Sequence, residues 1–234
     1  PYETMFDLAA TLGADPWVNV TSYVDDDFVR QLARMAKATV KAPNVVYFEY
    51  GNEPWNNAEP YGRAGAYYET KAKAKWPNAN VNVWQLRMNW YAYRSVQLCN
   101  IMKAEFGDQA SRVKCALGGQ ASSYTVSEWA LSCDLARNEL GGKCSKFVDA
   151  LAIGPYFGYY LGAAAHAGTV NDWPNEPDGG MDKVFRELTG TDAAGNRVTP
   201  PLYTASSETP NAGAIADAKQ WIVDSKKLAT AHGV

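Results

Sequence analysis

The stretch at residues 45–56, VVYFEYGNEPWN, limits the possible folds more than any other part of the chain. Its apolar first half has the alternation of a β-strand, in which successive side chains face opposite sides of a sheet. Pro54 cannot continue a hydrogen-bonded ladder, and it biases Glu53 toward an extended backbone. Glu53 is therefore expected at the carboxyl end of a strand, the edge at which α/β proteins place their chemistry.

Four strand-like segments alternate with helical patterns along the chain. The predicted strands are residues 16–20, 45–50, 112–119 and 147–154. Apolar residues at three- and four-residue spacing predict helices at residues 2–12, 25–42, 84–106, 127–140, 181–188 and 211–232. Residues 56–82 and 155–201 are predicted to be long connections. Because strands alternate with helices, we expect a parallel sheet.

The long connections follow strands and the short ones follow helices, which is the pattern of a (β/α) barrel whose binding face is built from the loops after the strands. Four strands do not close an eight-stranded barrel. The expected fold class is therefore α/β, a partial (β/α)8 TIM barrel with parallel strands and long βα loops. Residues 1–234 would form a single, truncated catalytic domain covering roughly strands three to six of the barrel. A complete, flavodoxin-like domain of four strands is the alternative.

The charge balance and the length of the apolar runs argue against two classes of partner. The net charge of the chain is −3, with no block of like charge, which argues against nucleic-acid binding. No apolar run approaches the roughly 20 residues of a membrane span, so no membrane partner is expected. At 234 residues the chain is long enough to bury a substantial core.

The four cysteines do not have the spacing of a metal site. There is no CxxC motif and no nearby histidine in the sequence, so we expect neither a zinc site nor another metal or cofactor. Cys133 and Cys144 flank a short segment that contains glycine and could close a local loop. Two disulfides would suit a secreted protein, whereas four buried thiols are the alternative.

Glu53 has the surroundings that acid–base chemistry requires. A carboxylic acid at the end of a strand, next to Trp55 and tyrosines, could donate a proton to a leaving group. Hydrolysis of a glycosidic bond needs such an acid and a second carboxylate across the sugar. The simpler interpretation is that Glu53 is a surface carboxylate that stabilises a turn.

Residues 47–56, with Glu49, the Asn52-Glu53 pair and Trp55 at these spacings, resemble the fourth-strand signature of the clan A glycoside hydrolases. These enzymes are (β/α)8 barrels that hydrolyse β-linked glycans with retention. The resemblance implies that Glu53 is the general acid/base. It also extends to the ends of the other predicted strands, where Trp17 and Asn19 would end strand three, Gln120 strand five and Tyr156 strand six. The candidate substrate-binding residues are Asn52, Trp17, Asn19, Trp55, Gln120 and Tyr156.

The nucleophile of this clan is a glutamate at the end of strand seven, which the resemblance would place beyond Val234. Glu208 is the only tempting substitute, and its position before a helix suggests a helix-start carboxylate instead. The expected function is thus a secreted, retaining glycoside hydrolase whose partner is a β-glycan or oligosaccharide. This chain alone would be inactive. The alternative is a non-catalytic carbohydrate-binding pseudoenzyme of the same fold.

Glu49 is the second unusual carboxylate of the stretch. By alternation it faces the interior of the predicted barrel, where a buried charge needs a partner. Lys114 and Arg112 on the next predicted strand are the candidates for that partner. We therefore expect Glu49 to form a structural ion pair.

Overall fold

The computed structural model describes residues 2–203 and 213–234, which form two compact units. The first unit contains the described residues up to Ile153 together with Lys227–Val234, and the second contains those within Gly154–Lys226. Each unit is described by itself below. The prediction of a single catalytic domain over residues 1–234 stays a prediction.

The first unit is built on a four-stranded parallel sheet. Its strands are Trp17–Val20 (β1), Val46–Tyr50 (β2), Val113–Gly119 (β3) and Ala150–Ile153 (β4). They are ordered β1-β2-β3-β4, and every neighbouring pair is parallel. The predicted α/β class with a parallel sheet is confirmed. A flavodoxin-like sheet requires the strand order to reverse at one point, and these four strands show no reversal.

Helices connect the strands. The helices of the first unit are Tyr2–Leu12 (α1), Asp26–Thr39 (α2), Tyr61–Lys75 (α3), Val83–Phe106 (α4), Tyr124–Ser132 (α5) and Arg137–Leu140 (α6). Short 3-10 turns at Gly107–Arg112 and Cys144–Phe147 precede β3 and β4. None of the helices in the described part of the chain combines the length and the apolar character needed to cross a bilayer.

Two of these helices differ from the sequence prediction. The predicted loop at residues 56–82 contains the 15-residue helix α3, which an i,i+4 ion pair between Glu69 and Lys73 supports. The helix predicted at residues 127–140 is broken, because Cys133 adopts a left-handed backbone with φ of 35° at the end of α5.

One face of the sheet carries the hydrophobic core. Val18, Val46, Phe48 and Tyr50 point into it and are almost completely buried. The long helix α4 covers this face and contributes twelve buried residues, because its apolar side chains recur around most of its circumference. The opposite face of β1 and β2 is more open, since alternate residues of the strands are exposed or half-buried there.

The amino-terminal edge of the sheet is held by side chains that bond to backbone carbonyls. The buried guanidinium of Arg112 donates to the carbonyl oxygens of Asn44 (2.7 Å) and Val40 (2.6 Å) and to Oε1 of Gln109 (2.6 Å). The Asn44 side chain donates to the Gly13 carbonyl at 2.8 Å. These bonds satisfy acceptors that would otherwise be unpaired where helices meet strands.

All four cysteines are paired in disulfides. Cys133 and Cys144 are bonded, as the sequence suggested, and join the end of α5 to the turn before β4. Cys99 and Cys115 are also bonded and join α4 to β3. The alternative of four buried thiols is therefore wrong for this structure.

The second unit contains short helices around a buried carboxylate. Its helices include Ala167–Asp172 (α7) and Met181–Thr189 (α8), the latter close to the predicted 181–188, and 3-10 turns at Tyr159–Gly162, Ala164–His166 and Trp173–Asn175. Helix α9 (Ala214–Ala231) begins in this unit and ends in the first. Glu187 is fully buried and accepts the backbone N–H groups of Leu202 and Tyr203, each at 2.9 Å. Its role is therefore structural.

Candidate functional site

The turn after β2 carries Asn52 and Glu53 at the carboxyl edge of the sheet. Its backbone departs from the sequence prediction: Glu53 has φ of +46°, in the left-handed region, and is not extended. A residue with a Cβ avoids this region because of steric crowding, and such residues cluster at functional sites. β2 ends at Tyr50, and the proline at position 54 does not keep Glu53 extended.

The Glu53 side chain is half-buried and has a partner within its own turn. Its Oε2 accepts from Asn56 Nδ2 at 2.8 Å, and the Asn56 backbone N–H donates to the Glu53 carbonyl at 2.8 Å. The two bonds hold the carboxylate in one orientation while part of it remains in contact with solvent. Such a group is accessible to a substrate and also restrained, which general acid catalysis requires.

Gly51 allows the chain to turn at the end of β2. Its φ is +71°, and a Cβ at this position would lie 2.2 Å from the hydroxyl oxygen of Tyr68. Tyr68 is buried and donates to Ser22 Oγ at 2.5 Å, so its ring has no room to withdraw. Only glycine fits this conformation and this space.

A depression of about 370 Å³ lies beside Asn52, at the carboxyl ends of β1 and β2. Polar groups of Asn19 and Asn52 and the rings of three tyrosines face it. Its lining includes Asn19, Asn52, Tyr2, Tyr23 and Tyr61. The tyrosines were not predicted as site residues, because they belong to α1, to the loop after β1 and to the unpredicted helix α3. Aromatic rings with polar tips around an open hollow are suited to binding a flat, hydroxylated ligand.

Trp17 does not lie where the sequence placed it. It is the first residue of β1 rather than the last, and it stands opposite Tyr47 in the ladder. Its ring stacks on Tyr47 with centroids 5.2 Å apart, and its Nε1 donates to Glu49 Oε2 at 2.8 Å. The prediction that Trp17 ends its strand is wrong. Its role in binding substrate stays a prediction, although 45% of the residue is exposed.

Glu49 faces the open side of the sheet, as alternation predicted, but the predicted ion pair is wrong. Arg112 bonds to backbone carbonyls at the amino edge, and Lys114 stands opposite Tyr47 in the ladder. The Glu49 carboxylate instead lies beside the side chains of Trp17 and Asn19. Burial raises the pKa of Glu49, and the hydrogen bond from Trp17 and the neighbouring Asn19 amide oppose the rise.

Asn19 links Glu49 to the turn that carries Glu53. It is the ladder partner of Glu49, and its Nδ2 donates to the Gly51 carbonyl at 2.7 Å. The residue that stands opposite Glu49 in the ladder thus also bonds to the start of the turn. The predicted position of Asn19 near the end of its strand is confirmed, since only Val20 follows it in β1.

Gly118 in β3 leaves space in which three side chains meet, those of Glu49, Tyr91 and Trp55. A Cβ at Gly118 would lie 3.0 Å from the Tyr91 hydroxyl, 3.1 Å from Glu49 Oε1 and 3.9 Å from Trp55 Cη2. The Tyr91 hydroxyl accepts the Gly118 N–H at 2.7 Å. Burial, and then the charge of Glu49, raise the pKa of Tyr91, which therefore stays protonated. Trp55 is half-buried here, with its ring near the carboxylate.

Two further residues, Gln120 and Tyr156, were predicted to bind substrate. Gln120 directly follows β3 and is half-buried, and its carbonyl accepts from the Ser123 N–H at 3.1 Å. It therefore lies at the same carboxyl edge as Glu53. Tyr156 belongs to the second unit, where 72% of it is exposed. Glu208 lies outside the described residues.

Comparisons of this chain with protein-family models, with curated proteins and with solved structures found no match in any of the three. Any function must therefore be argued from the chemistry of these side chains.

Proposed function

We propose that this chain is part of a retaining glycoside hydrolase that acts on β-linked glycans, with Glu53 as the general acid/base. The observation that carries this proposal is the placement of Glu53. A restrained, partly exposed carboxylate sits in a left-handed turn at the carboxyl edge of a parallel sheet. The residue before it, Asn52, is exposed and lines a depression that also contains tyrosines. In (β/α) proteins this edge is where catalytic groups are found.

In the proposed reaction Glu53 protonates the glycosidic oxygen as the bond to the anomeric carbon breaks. A second carboxylate attacks that carbon from the other face and forms a glycosyl-enzyme intermediate. Glu53 then takes a proton from the water that hydrolyses this intermediate. Asn52 would donate to a sugar hydroxyl, and the depression beside it would bind an adjoining sugar. We propose that the nucleophile is contributed by chain that follows Val234.

The finer fold assignment belongs to the same proposal. We propose that β1 to β4 are four consecutive strands of a (β/α)8 barrel. Their order along the sheet and the half-exposed face that carries Trp17, Tyr47 and Glu49 support this. Parallel sheets are normally covered on both faces. Secretion is part of the proposal as well, and two disulfides are compatible with an oxidising compartment.

The decisive experiment uses the full-length protein and aryl β-glycosides that differ in leaving group. Glu53→Gln replaces the acid with an amide and should lower kcat/KM for poor leaving groups by about 10²- to 10⁴-fold. Good leaving groups need little protonation, so their rate of bond cleavage should fall far less. Glu105→Gln is the control, because Glu105 forms an ion pair with Arg34 on the helical side. Equal losses for both kinds of substrate would contradict the proposed role of Glu53.

A carbohydrate-binding pseudoenzyme is the second candidate, and the tyrosine-lined depression favours it, since such a hollow can bind a glycan without a catalytic acid. In that case the full-length protein would hydrolyse none of the aryl glycosides. It would still bind soluble β-glucan, β-mannan or β-xylan, and Tyr61→Ala would weaken that binding. Calorimetry with these three polymers, together with the hydrolysis assay, separates the two candidates.

A further inference from the structure

The Glu53 turn is attached at its first residue to the open face of the sheet. The Gly51 N–H donates to the Val20 carbonyl at 2.7 Å, and the Gly51 carbonyl accepts from Asn19 Nδ2 at 2.7 Å. The second of these bonds comes from a side chain that stands opposite Glu49 in the ladder. The orientation of the Gly51 peptide therefore depends on where the Asn19 amide is held.

The turn is attached again at Trp55. The Trp55 ring packs over Gly118, at the point where Glu49 Oε1 and the Tyr91 hydroxyl also converge. Tyr91 is fixed there because its hydroxyl accepts the Gly118 N–H at 2.7 Å. The segment from Gly51 to Trp55 thus begins at a bond from the ladder partner of Glu49 and ends at a ring that shares the space over Gly118 with Glu49.

Glu49 is itself oriented by aromatic side chains on the open face of the sheet. Trp17 Nε1 donates to its Oε2 at 2.8 Å, and Trp17 is held in turn by stacking on Tyr47. A charged acceptor makes stronger hydrogen bonds than a neutral one, so an ionised Glu49 fixes its donors more firmly than an amide would. The backbone of Glu53, at φ of +46°, persists only if its surroundings hold it there.

We propose that Glu49 is a positioning residue for Glu53: through Asn19 and Trp55 its carboxylate holds both ends of the turn that aims the catalytic acid. This inference rests on the proposed function, because it assigns Glu49 a part in the same reaction. It replaces the structural ion pair that the sequence suggested. It also accounts for a carboxylate on this face that accepts a hydrogen bond from the neutral Trp17 indole and forms no ion pair within the described part of the chain.

The test uses the full-length protein with substitutions in the network and a matched control. Asn19→Leu removes the bond to Gly51, and Glu49→Leu removes the carboxylate. Asn44→Leu is the control, since Asn44 makes the same kind of bond, to the Gly13 carbonyl at 2.8 Å, at the opposite edge of the sheet. Glu49→Gln keeps an acceptor of the same shape and should partly rescue the effect of Glu49→Leu.

The readout is the ratio of kcat for a good and a poor leaving group, which loss of folded protein alone does not change. Misplacement of the acid should raise this ratio about 10- to 100-fold in Glu49→Leu and Asn19→Leu. The ratio should stay within about two-fold of the unmodified protein in Asn44→Leu. If Glu49→Leu does not fold, Asn19→Leu and Glu49→Gln carry the test. Equal ratios in Asn19→Leu and Asn44→Leu would overturn the inference.

Crystal structures of Asn19→Leu and Asn44→Leu provide a readout that does not depend on catalysis. We expect φ of Glu53 to leave the left-handed region in the first variant and to stay there in the second. If it stays in both, the inference is wrong even where the proposed function is right. If Glu53→Gln leaves the leaving-group ratio unchanged, the proposed function is wrong, and the crystal structures still decide whether the Asn19 link of this network holds the turn.

Discussion

The two edges of the parallel sheet use the same kind of bond for different purposes. At the amino edge Asn44 donates to the Gly13 carbonyl, and Arg112 bonds to two further carbonyls, which closes the junctions between helices and strands. At the carboxyl edge Asn19 donates to the Gly51 carbonyl, yet the turn that follows contains Glu53 in a left-handed backbone. One edge gains stability from its hydrogen bonds, and the other uses them to hold a conformation that costs stability.

This difference follows a general division in (β/α) proteins, in which the carboxyl edge carries chemistry and the amino edge carries stability. It predicts which measured property each substitution should change. Changes at the amino edge should alter the free energy of unfolding and leave substrate discrimination unchanged. Changes at the Glu53 turn should alter discrimination, and some of them should cost no stability at all.

The largest expected loss of stability is at Gly51. This residue lies at the carboxyl edge but is under tight steric constraint, so it is an exception to the division between the two edges. Gly51→Ala places a Cβ 2.2 Å from the Tyr68 hydroxyl and forces alanine to φ of +71°. We expect a loss of about 3–5 kcal/mol in the free energy of unfolding. Urea denaturation measures it, and a loss below about 1 kcal/mol would show that the turn can relax.

A smaller loss is expected at the amino edge. Arg112→Ala leaves the carbonyls of Asn44 and Val40 without their donor, which should cost about 2–4 kcal/mol of stability. The leaving-group ratio of the full-length protein should not change. If the leaving-group ratio changes although the variant is fully folded, the division between the two edges is contradicted.

Two substitutions at position 53 should separate the cost of the left-handed backbone from the loss of the carboxylate. Both Glu53→Gly and Glu53→Ala lose the bond to Asn56, but only glycine adopts φ of +46° without steric cost. We expect Glu53→Gly to be more stable than Glu53→Ala by about 1 kcal/mol, while both lose acid catalysis. Equal urea midpoints for the two variants would indicate that the turn changes conformation when the side chain is removed.

The smallest expected effect is on the way the free energy of unfolding depends on pH. Because burial raises the pKa of Glu49, its carboxyl binds a proton more readily in the folded than in the unfolded chain, where the pKa is about 4.3. The stability that Glu49 contributes should fall as pH rises through this window. Glu49→Gln removes that dependence, so its stability relative to the unmodified protein should be more favourable at pH 7 than at pH 3.5.

Glu105 gives a control of opposite sign for the pH experiment. The hydrogen bond and charge of Arg34 lower the pKa of Glu105, so its contribution is present above the unfolded pKa and is lost on acidification. Glu105→Gln should therefore lose more stability at pH 7 than at pH 3.5. Urea titrations of both variants at the two pH values test the pair together.

The sequence predicted the strands and the faces of their side chains well, because period-two alternation reports burial directly. Alternation placed Glu49 on the open face, and the strand predicted at residues 45–50 matches β2 to within one residue. The sequence could not supply the partner of Glu49, since that depends on the register with β1. It also missed α3, whose aromatic and polar residues do not form a clear apolar stripe.

The local chemistry of the site was less predictable than its position. Proline at 54 favours an extended residue before it, but tertiary contacts at Gly51 and Trp55 override that bias at Glu53. The resemblance placed Trp17 at the end of a strand, whereas the ladder begins at Trp17 itself. In both cases the deciding contacts come from residues distant in the sequence.

The positions of the two disulfides bear on how this protein could diversify. Cys99–Cys115 and Cys133–Cys144 tie helices to β3 and to the turn before β4, and no half-cystine lies in the segment from Gly51 to Trp55. The cross-links therefore stabilise a frame made of the sheet and its helices, and they do not constrain the Glu53 turn. Insertions and substitutions at the rim could accumulate without breaking a covalent bond, so new ligand preferences could be selected, or engineered, on an unchanged frame.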